Sequence, residues 1–392
     1  MEVRGYRVGD EESLARLSAG AFGEGCAYWE RYYAGKNPRV DPDFVRLIEE
    51  DGEVRASATV LPLEVFVDGR LAPMGGIAAV ATDPAYRRRG FAGELMCAVL
   101  RAMREGRMHL SMLWPFAHVF YRVYGWELAG EAVSYTLKPT DLSTSPDQRR
   151  VRAYREEDLP RMMGLFEKAA AEHSCSVRRS EGRWREVLAR DDWWAAVYER
   201  EGGMEGYLLY RMSGWTEDRE PHRTLAVQEL VWGTAEAREA LISLLAAQDP
   251  LVFEIKHDTP RGEPLHPYLR SSYVKAEIEP EFMLRLVDVE GALKLLNRAV
   301  EMPLVLEVSD DVIEENAGSY TVAADGEVVR GAEAEERVAL DVRRLAQLYA
   351  GYLPARQLAR HGLVDANSPE ALELLGALFP VGDPWVYPPD HF

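Results

Sequence analysis

Three consecutive arginines, Arg87-Arg88-Arg89, run directly into Gly90-Phe91-Ala92, an order suited to holding phosphate. The run follows an apolar stretch, Ile77-Ala78-Ala79-Val80-Ala81, and the turn residues Asp83 and Pro84. It opens a segment in which Phe91, Leu95, Val99 and Met103 recur four apart, the spacing of one helix face. A strand entering a helix this way presents free backbone N–H groups and the positive end of the helix dipole to an anion. Gly90 and Ala92 are small enough to let phosphate approach the backbone, and Arg87, Arg88 and Arg89 add charge to pair with it. The bland alternative is a basic, solvated first turn, but cations are unfavourable at a helix start, so three together ask for an anion or a neighbouring acid. Neither the Gly-Lys-Ser/Thr of a nucleotide-binding P-loop nor Gly-x-Gly-x-x-Gly is present.

Downstream lies Leu113-Trp114-Pro115-Phe116-Ala117-His118-Val119-Phe120-Tyr121-Arg122-Val123-Tyr124-Gly125-Trp126. Taken singly, its aromatics read as core residues and His118 as a structural histidine. Taken with the basic loop, the two segments resemble the GNAT acetyltransferase superfamily, whose coenzyme A loop has the pattern Arg/Gln-x-x-Gly-x-Gly/Ala. Arg87, Gly90 and Ala92 fill those positions. The resemblance implies acetyl-CoA as cosubstrate, with the strand around Val80, Ala81 and Thr82 bonding the pantetheine arm through its backbone. It also implies a short helix beside the thioester that ends in a Tyr-x-x-x-Gly-aromatic turn. Tyr121 matches the family's acid, which protonates the departing thiolate; Tyr124 is the fallback.

These segments need a framework, and the sequence offers it twice. Val3-Arg4-Gly5-Tyr6-Arg7 and Val151-Arg152-Ala153-Tyr154-Arg155 are each followed by acidic residues and a helical pattern. Each half then offers strand, turn and strand (VRLIEEDGEVRASATVLPLEVFVDGR; AAVYEREGGMEGYLLYRM), and next a strand feeding a helix. Two copies of one α/β domain is the economical reading, joined by the turn-rich residues 137–148. A third region starts near residue 282. It reads as α+β with local antiparallel pairing: LVLEVSD, a hairpin from SYTVAAD and GEVVRGA, a strand and helix in VALDVRRLAQLYAGY, and a helix in PEALELLGALF.

In domain order the whole chain is similar to the enhanced intracellular survival (Eis) type of N-acetyltransferase, most specifically over residues 74–126 and at the C-terminus. The fold class implied is α+β: tandem GNAT α/β domains, the first active (1–136) and the second degenerate (149–281), then a sterol-carrier-protein-like α+β domain (282–392). In that family the terminal carboxylate enters the first domain's active site as general base. Here that is Phe392, after Tyr387-Pro388-Pro389-Asp390-His391. A free α-carboxylate has a pKa of about 3.3–3.7, so it needs desolvation or a relaying water; without the resemblance, a frayed terminus is the simpler reading. Phe22, Glu24 and Trp29, in the loop after the first helix, match acceptor-pocket positions loosely, and a carboxylate among aromatics suits an ammonium; a solvated loop is the alternative. The resemblance also implies an amine acceptor, on a small polycation or a lysine, and a homo-oligomer, in some members a hexamer. Two departures stand out. The second domain has Val231-Trp232-Gly233-Thr234-Ala235-Glu236 where the arginine loop would be, so no coenzyme is expected there. Trp-Pro-Phe-Ala-His precedes the Tyr121 segment where some members have Ser-Glu-Gly, which leaves the acceptor open.

The bulk properties agree. The 392 residues exceed one ordinary core. A formal net charge of -19 repels nucleic acid and anionic membranes and suits a cationic substrate. Cys26, Cys97 and Cys175 are scattered, with no metal-ligand spacing. The charged N-terminus and the lack of an apolar run near the roughly 18–20 residues of a membrane span lead to a cytoplasmic expectation. A different class of function also stays open: the third region as an apolar-ligand or lipid carrier, with the GNAT part regulatory.

Overall fold

The computed structural model describes residues 3–213, 223–296 and 298–392. In chain order come β1 (Val3–Gly5), α1 (Glu11–Phe22), α2 (Cys26–Arg31), β2 (Val45–Glu50), β3 (Glu53–Val67), β4 (Arg70–Thr82), α3 (Phe91–Glu105), β5 (Leu110–Leu113), α4 (His118–Arg122) and β6 (Glu127–Leu128). They are followed by β7 (Glu131–Leu137), β8 (Val151–Ala153), α5 (Leu159–Ala171), α6 (Glu181–Leu188), β9 (Trp193–Arg200), β10 (Gly203–Met212), β11 (Thr224–Trp232), α7 (Ala235–Ala246), β12 (Glu254–Pro260) and β13 (Lys275–Pro280). The last stretch holds β14 (Met283–Leu286), α8 (Val289–Leu296), β15 (Leu304–Ser309), β16 (Gly318–Val322), β17 (Val328–Arg330), β18 (Glu336–Asp341), α9 (Val342–Tyr349), α10 (Ala355–Arg360), β19 (Val364–Ala366) and α11 (Pro369–Leu378). The chain forms two compact units, one from residues 1–129, 282–382 and 392, the other from 130–281 and 383–391.

The first unit is built on a sheet of order β1-β2-β3-β4-β5-β14-β6, in which β4 and β5 run parallel. The four-apart residues of α3 all point inward: Phe91, Leu95, Val99 and Met103 are buried together with Ile77, Tyr121 and Trp126. A second cluster gathers Leu14 and Ala15 of α1, Trp29 of α2, Tyr32 and Tyr33 around Val45 and Leu47. The same unit contains a five-stranded sheet, β17-β16-β15-β18-β19. Its β16–β17 hairpin is the one expected from sequence. Local antiparallel pairing is present as expected, and β18 in addition pairs parallel to β15. One edge of β15 is occupied by β16, and the returning chain takes the other.

The second unit repeats the plan with sheet order β13-β7-β12-β11-β10-β9-β8, β11 and β12 being the parallel pair. The five-residue echo has a three-dimensional counterpart. Arg4 of β1 grips Asp10 through both terminal nitrogens at 2.7 and 2.9 Å and reaches Glu49 of β2. Arg152 of β8 grips Asp158 at 2.7 and 2.8 Å and reaches Glu199 of β9. In both copies the aspartate also accepts the backbone N–H at the end of the echo, Arg7 or Arg155. Each arginine thus ties first strand, first helix and neighbouring strand together, so the likeness is one of construction and not of chance. One strand sits differently from its sequence placement: β7, read as the end of the first domain, pairs with β12 and β13. The place beside β5 is taken by β14, from the start of the third region.

Candidate active site

β4 and β5 pair in three rows only, Met74 with Leu110, Gly75 with Ser111 and Gly76 with Met112. Beyond Gly76, β4 continues to Thr82 while β5 ends at Leu113, so the parallel pair opens into a crevice whose β4 wall has lost its ladder partner. The same wall is bulged. The register of β3 against β4 shifts between Ser57 and Thr59, and Ala79 adopts a left-handed φ of 50°. Such a conformation costs an alanine roughly 1–2 kcal/mol, and a bulge re-aims the strand that carries it. Ala79 packs toward the Trp29 cluster and Val80 toward α3. Val80 and Thr82 are half-buried and Ala81 is buried.

The basic loop follows at once. Asp83 accepts the N–H of Ala85 at 3.0 Å, which turns the chain. Arg88 (φ 63°) and Gly90 (φ 87°) are both left-handed. A Cβ on Gly90 would meet nothing within 4 Å, so glycine is required there by conformation and not by space. No side chain caps α3, which leaves its first N–H groups for a ligand. Arg87, Arg88 and Arg89 are all exposed, but they differ in what holds them. Arg89 lies over the Tyr86 ring at 4.5 Å and faces Glu50 at 3.5 Å. Arg87 and Arg88 have no ion pair among the described residues. Phe91 is buried and stacks near Tyr86, anchoring the helix start, while Ala92 is half-buried.

Tyr121 sits on α4 with 3% of its surface exposed, between the rings of Phe116, Phe120 and Trp126. Burial pushes its phenol up to about 12, so it stays protonated at neutral pH. The turn behind it is tied to the crevice. Trp126 Nε1 donates to Ser111 Oγ at 3.3 Å, and Ser111 Oγ donates to the Gly75 carbonyl at 2.9 Å, in the last rows before the strands part. Gly125 is left-handed at φ 88° and rests directly on the guanidinium of Arg285. Arg285 is fully buried and paired with Asp310 at 2.8 Å. The Tyr124 hydroxyl packs against Gly93 in the first turn of α3, and His118 is half-buried at the start of α4.

The Phe392 ring lies at the point where the strands part. A Cβ on Gly76 would be 2.7 Å from it, and the Trp114 ring meets it edge-on at 4.7 Å. The segment that follows β5 therefore supplies Trp114 to the terminal residue and Phe116 to Tyr121. Of the residues assigned to an acceptor pocket, Trp29 is on α2 and not in a loop; it is buried with Tyr32 and Tyr33. Phe22 closes α1, is 46% exposed and lies 5.3 Å from Trp29. Glu24 is exposed between the two helices. Among the described residues no ring contact or hydrogen bond joins these three to Tyr121 or Phe392. Sequence reasoning passed over Gly76, Trp114 and Arg285. The Gly75-Gly76 pair inside a strand was a usable sign of close approach, whereas Arg285 arrives from a distant strand and leaves no local mark.

Two GNAT acetyltransferase domain models match residues 2–129 and 175–286, and a sterol carrier protein domain model matches residues 289–387. An uncharacterised N-acetyltransferase of Streptomyces avermitilis is 27% identical over 368 residues, covering 88% of this chain and 87% of its own. A GCN5-related N-acetyltransferase from Anabaena variabilis superposes with a TM-score of 0.87 at 23% identity, over all of both chains. Eis1 from Mycobacterium abscessus has the same fold, with a TM-score of 0.81, 24% identity and full coverage of both chains.

Proposed function

Since the chain belongs to the GNAT family of N-acetyltransferases, with two GNAT domains and a sterol carrier domain in the Eis-type order, we propose that its first domain carries acetyl from acetyl-CoA to an amine of a small cationic molecule or a lysine. The observation that carries this reading is the crevice between β4 and β5, with Tyr121 held protonated beside it and Phe392 at its apex. In this reading the uncapped start of α3 and Arg87 and Arg88 hold the pyrophosphate. Arg89, engaged with Tyr86 and Glu50, keeps the loop in shape. The freed edge of Val80, Ala81 and Thr82 takes the pantetheine arm, and the bulge near Val80 supplies an N–H to the thioester oxygen.

The reaction is a direct transfer. The amine gives a proton to the Phe392 carboxylate, directly or through a water, and its lone pair attacks the thioester carbon. The resulting oxyanion collapses, the carbon–sulfur bond breaks, and Tyr121 hands its phenolic proton to the coenzyme thiolate. Phe22, Glu24 and Trp29 are the acceptor-side residues of this proposal, Glu24 offering the charge for a cationic amine. By function the chain divides into a catalytic domain (1–136), a degenerate GNAT domain (149–281) and a sterol-carrier-like domain (282–392).

The test is thiol release from acetyl-CoA against polyamines, aminoglycosides and lysine peptides, comparing wild type with a form extended by two residues past Phe392. Turnover that collapses in the extended form while coenzyme binding persists supports the terminal base. Turnover that survives removes Phe392 from the mechanism and moves the base to a water or His118.

A further inference from the structure

The second unit contains a cavity of about 980 Å³, at the upper end of pockets that enclose small molecules. It lies beyond the carboxyl ends of β11 and β12, which pair in parallel. Their pairing ends at Val227 and His257, and residues 228–235 and 257–260 line the opening. Ligands of α/β sheets bind at such crevices. Three polar groups face it without a partner of their own. Thr259 is 4% exposed, and its hydroxyl has no hydrogen bond. His257 Nδ1 is sealed from solvent and likewise unbonded. The Arg238 guanidinium lies 4.0 Å over the Tyr268 ring and 5.4 Å from that of Trp232, and among the described residues it has neither an ion pair nor a hydrogen bond. Burial opposes its charge, offset in part by Tyr268, Glu263 and Glu239. Guanidinium does not lose its proton in proteins, so the cation remains in the cavity wall.

We propose that this cavity is a second ligand site, taking an organic monocarboxylate with a compact apolar or aromatic body. The carboxylate pairs with Arg238 and accepts from Thr259 or His257. The body lies against Ile242, Leu265 and Leu269, with Leu245 and Ile255 behind them. A phosphate or pyrophosphate is excluded on two grounds. The α7 start is already capped by Thr234, whose Oγ1 accepts from the Ala237 N–H at 3.3 Å. Glu239 and Glu263 at the same cavity would repel a second negative charge. The site is independent of the acetyl-transfer reading, since its ligand and its contacts lie wholly in the second unit.

The experiment is calorimetric titration of the full chain with phenylbutyrate, phenylbutyramide and phenylbutylamine, in the presence and absence of saturating coenzyme A. Phenylbutyrate is expected to bind once per chain, roughly tenfold or more tighter than the amide, and equally well with coenzyme A present. Arg238→Met should weaken it roughly tenfold or more and Thr259→Val a few-fold, with Arg238→Lys in between because it keeps charge but loses the planar fork. Thermal unfolding of each variant reports whether it is folded, and Thr259→Val carries the test if Arg238→Met is not. The proposal is overturned if acid and amide bind alike, if folded Arg238→Met keeps full affinity, if coenzyme A displaces the probe, or if no probe binds at ~10 mM.

Discussion

The helix after β4 and the helix after β11 hold matching places in their units, yet their first turns are finished in opposite ways. At α3 the capping position is Gly90 in a left-handed conformation, no side chain satisfies the helix, and three arginines precede it. At α7 the capping position is Thr234, which accepts from Ala237 and donates to Glu205 at 2.9 Å, while Glu236 in the first turn faces Arg200 at 3.8 Å. The strands before them differ in the same sense. Both are bulged, but the β4 bulge forces Ala79 to a positive φ, whereas that of β11, at Gln228, does not. Open donors and strained backbone are unfavourable in a free protein and persist where a ligand uses them. The second unit caps its helix start with its own Thr234, and in the proposed reading it therefore takes no pyrophosphate.

The sharpest break of this comparison is chemical. Tyr121→Phe removes the proposed proton donor and leaves the ring packing intact, so kcat is expected to fall roughly 10²–10⁴-fold while coenzyme affinity, read by calorimetry, stays put. Because burial lifts the phenol to about 12, Tyr121 should contribute no loss of activity on the alkaline side below about pH 11. A Tyr121→Phe enzyme with unchanged kcat would shift the acid to Tyr124 or to solvent.

Next in size is the loop itself. Gly90→Glu adds an acid at the helix start and a side chain in a left-handed conformation, and coenzyme affinity should drop roughly 10–100-fold. Wild type should bind one coenzyme per chain, and Glu236→Arg, which exchanges an acid for a cation in the first turn of α7 but leaves the Thr234 cap in place, should not raise that number. A second equivalent in either protein would dissolve the distinction between the two helix starts.

The two arginine locks offer a matched comparison of stability. Asp158→Asn should cost about 1–3 kcal/mol, and Asp10→Asn somewhat less, because Asp158 is 2% exposed whereas Asp10 is only half-buried. Hydrogen bonds from Arg152 and Arg4 hold both carboxyls below the usual range. A depressed carboxyl stabilises the fold above its unfolded value near 3.9, and that contribution disappears as pH falls below about 4. Denaturant midpoints of wild type and the two variants should therefore converge in acid and separate at neutral pH. Curves that stay parallel would mean the asparagines act by packing and not by charge.

Much of this was legible because it is local. The four-apart residues of α3, the arginine-glycine loop and the Arg4–Asp10 and Arg152–Asp158 echo all lie within short windows, where periodicity and helix-start chemistry act directly. What escaped depends on residues far apart in the chain. The turn-rich residues 137–148 read as a linker after Glu131–Leu137, but nothing local to that strand says that β12 and β13 are its partners, or that Met283–Leu286 fills the gap beside β5. Trp29 looked like loop because Gly23 and Gly25 precede it, and the short α2 is held by burial among Tyr32 and Tyr33 more than by helix propensity. Phe392 could be assigned to the site only by resemblance. Its seat on Gly76 against Trp114 joins three positions whose separation in sequence carries no pattern.

The smallest effect tests the cap directly. Thr234→Ala should destabilise α7 by about 1 kcal/mol, since it leaves the Ala237 N–H without its acceptor and Glu205 with Arg200 alone as its side-chain donor. For a unit of this size that corresponds to a fall of roughly 2–4 °C in Tm. Its counterpart is Gly90→Asn, which tolerates a left-handed φ and brings a capping carbonyl to α3. The free protein should be unchanged or slightly more stable, and its coenzyme affinity weaker, because the new side chain satisfies donors that the pyrophosphate would use. The pair thus runs in opposite directions: removing a cap from the second unit lowers stability and leaves binding alone, and adding one to the first lowers binding and spares stability. If Gly90→Asn bound coenzyme as tightly as wild type, the open first turn of α3 would not be what holds the phosphates, and Arg87 and Arg88 would have to do so alone.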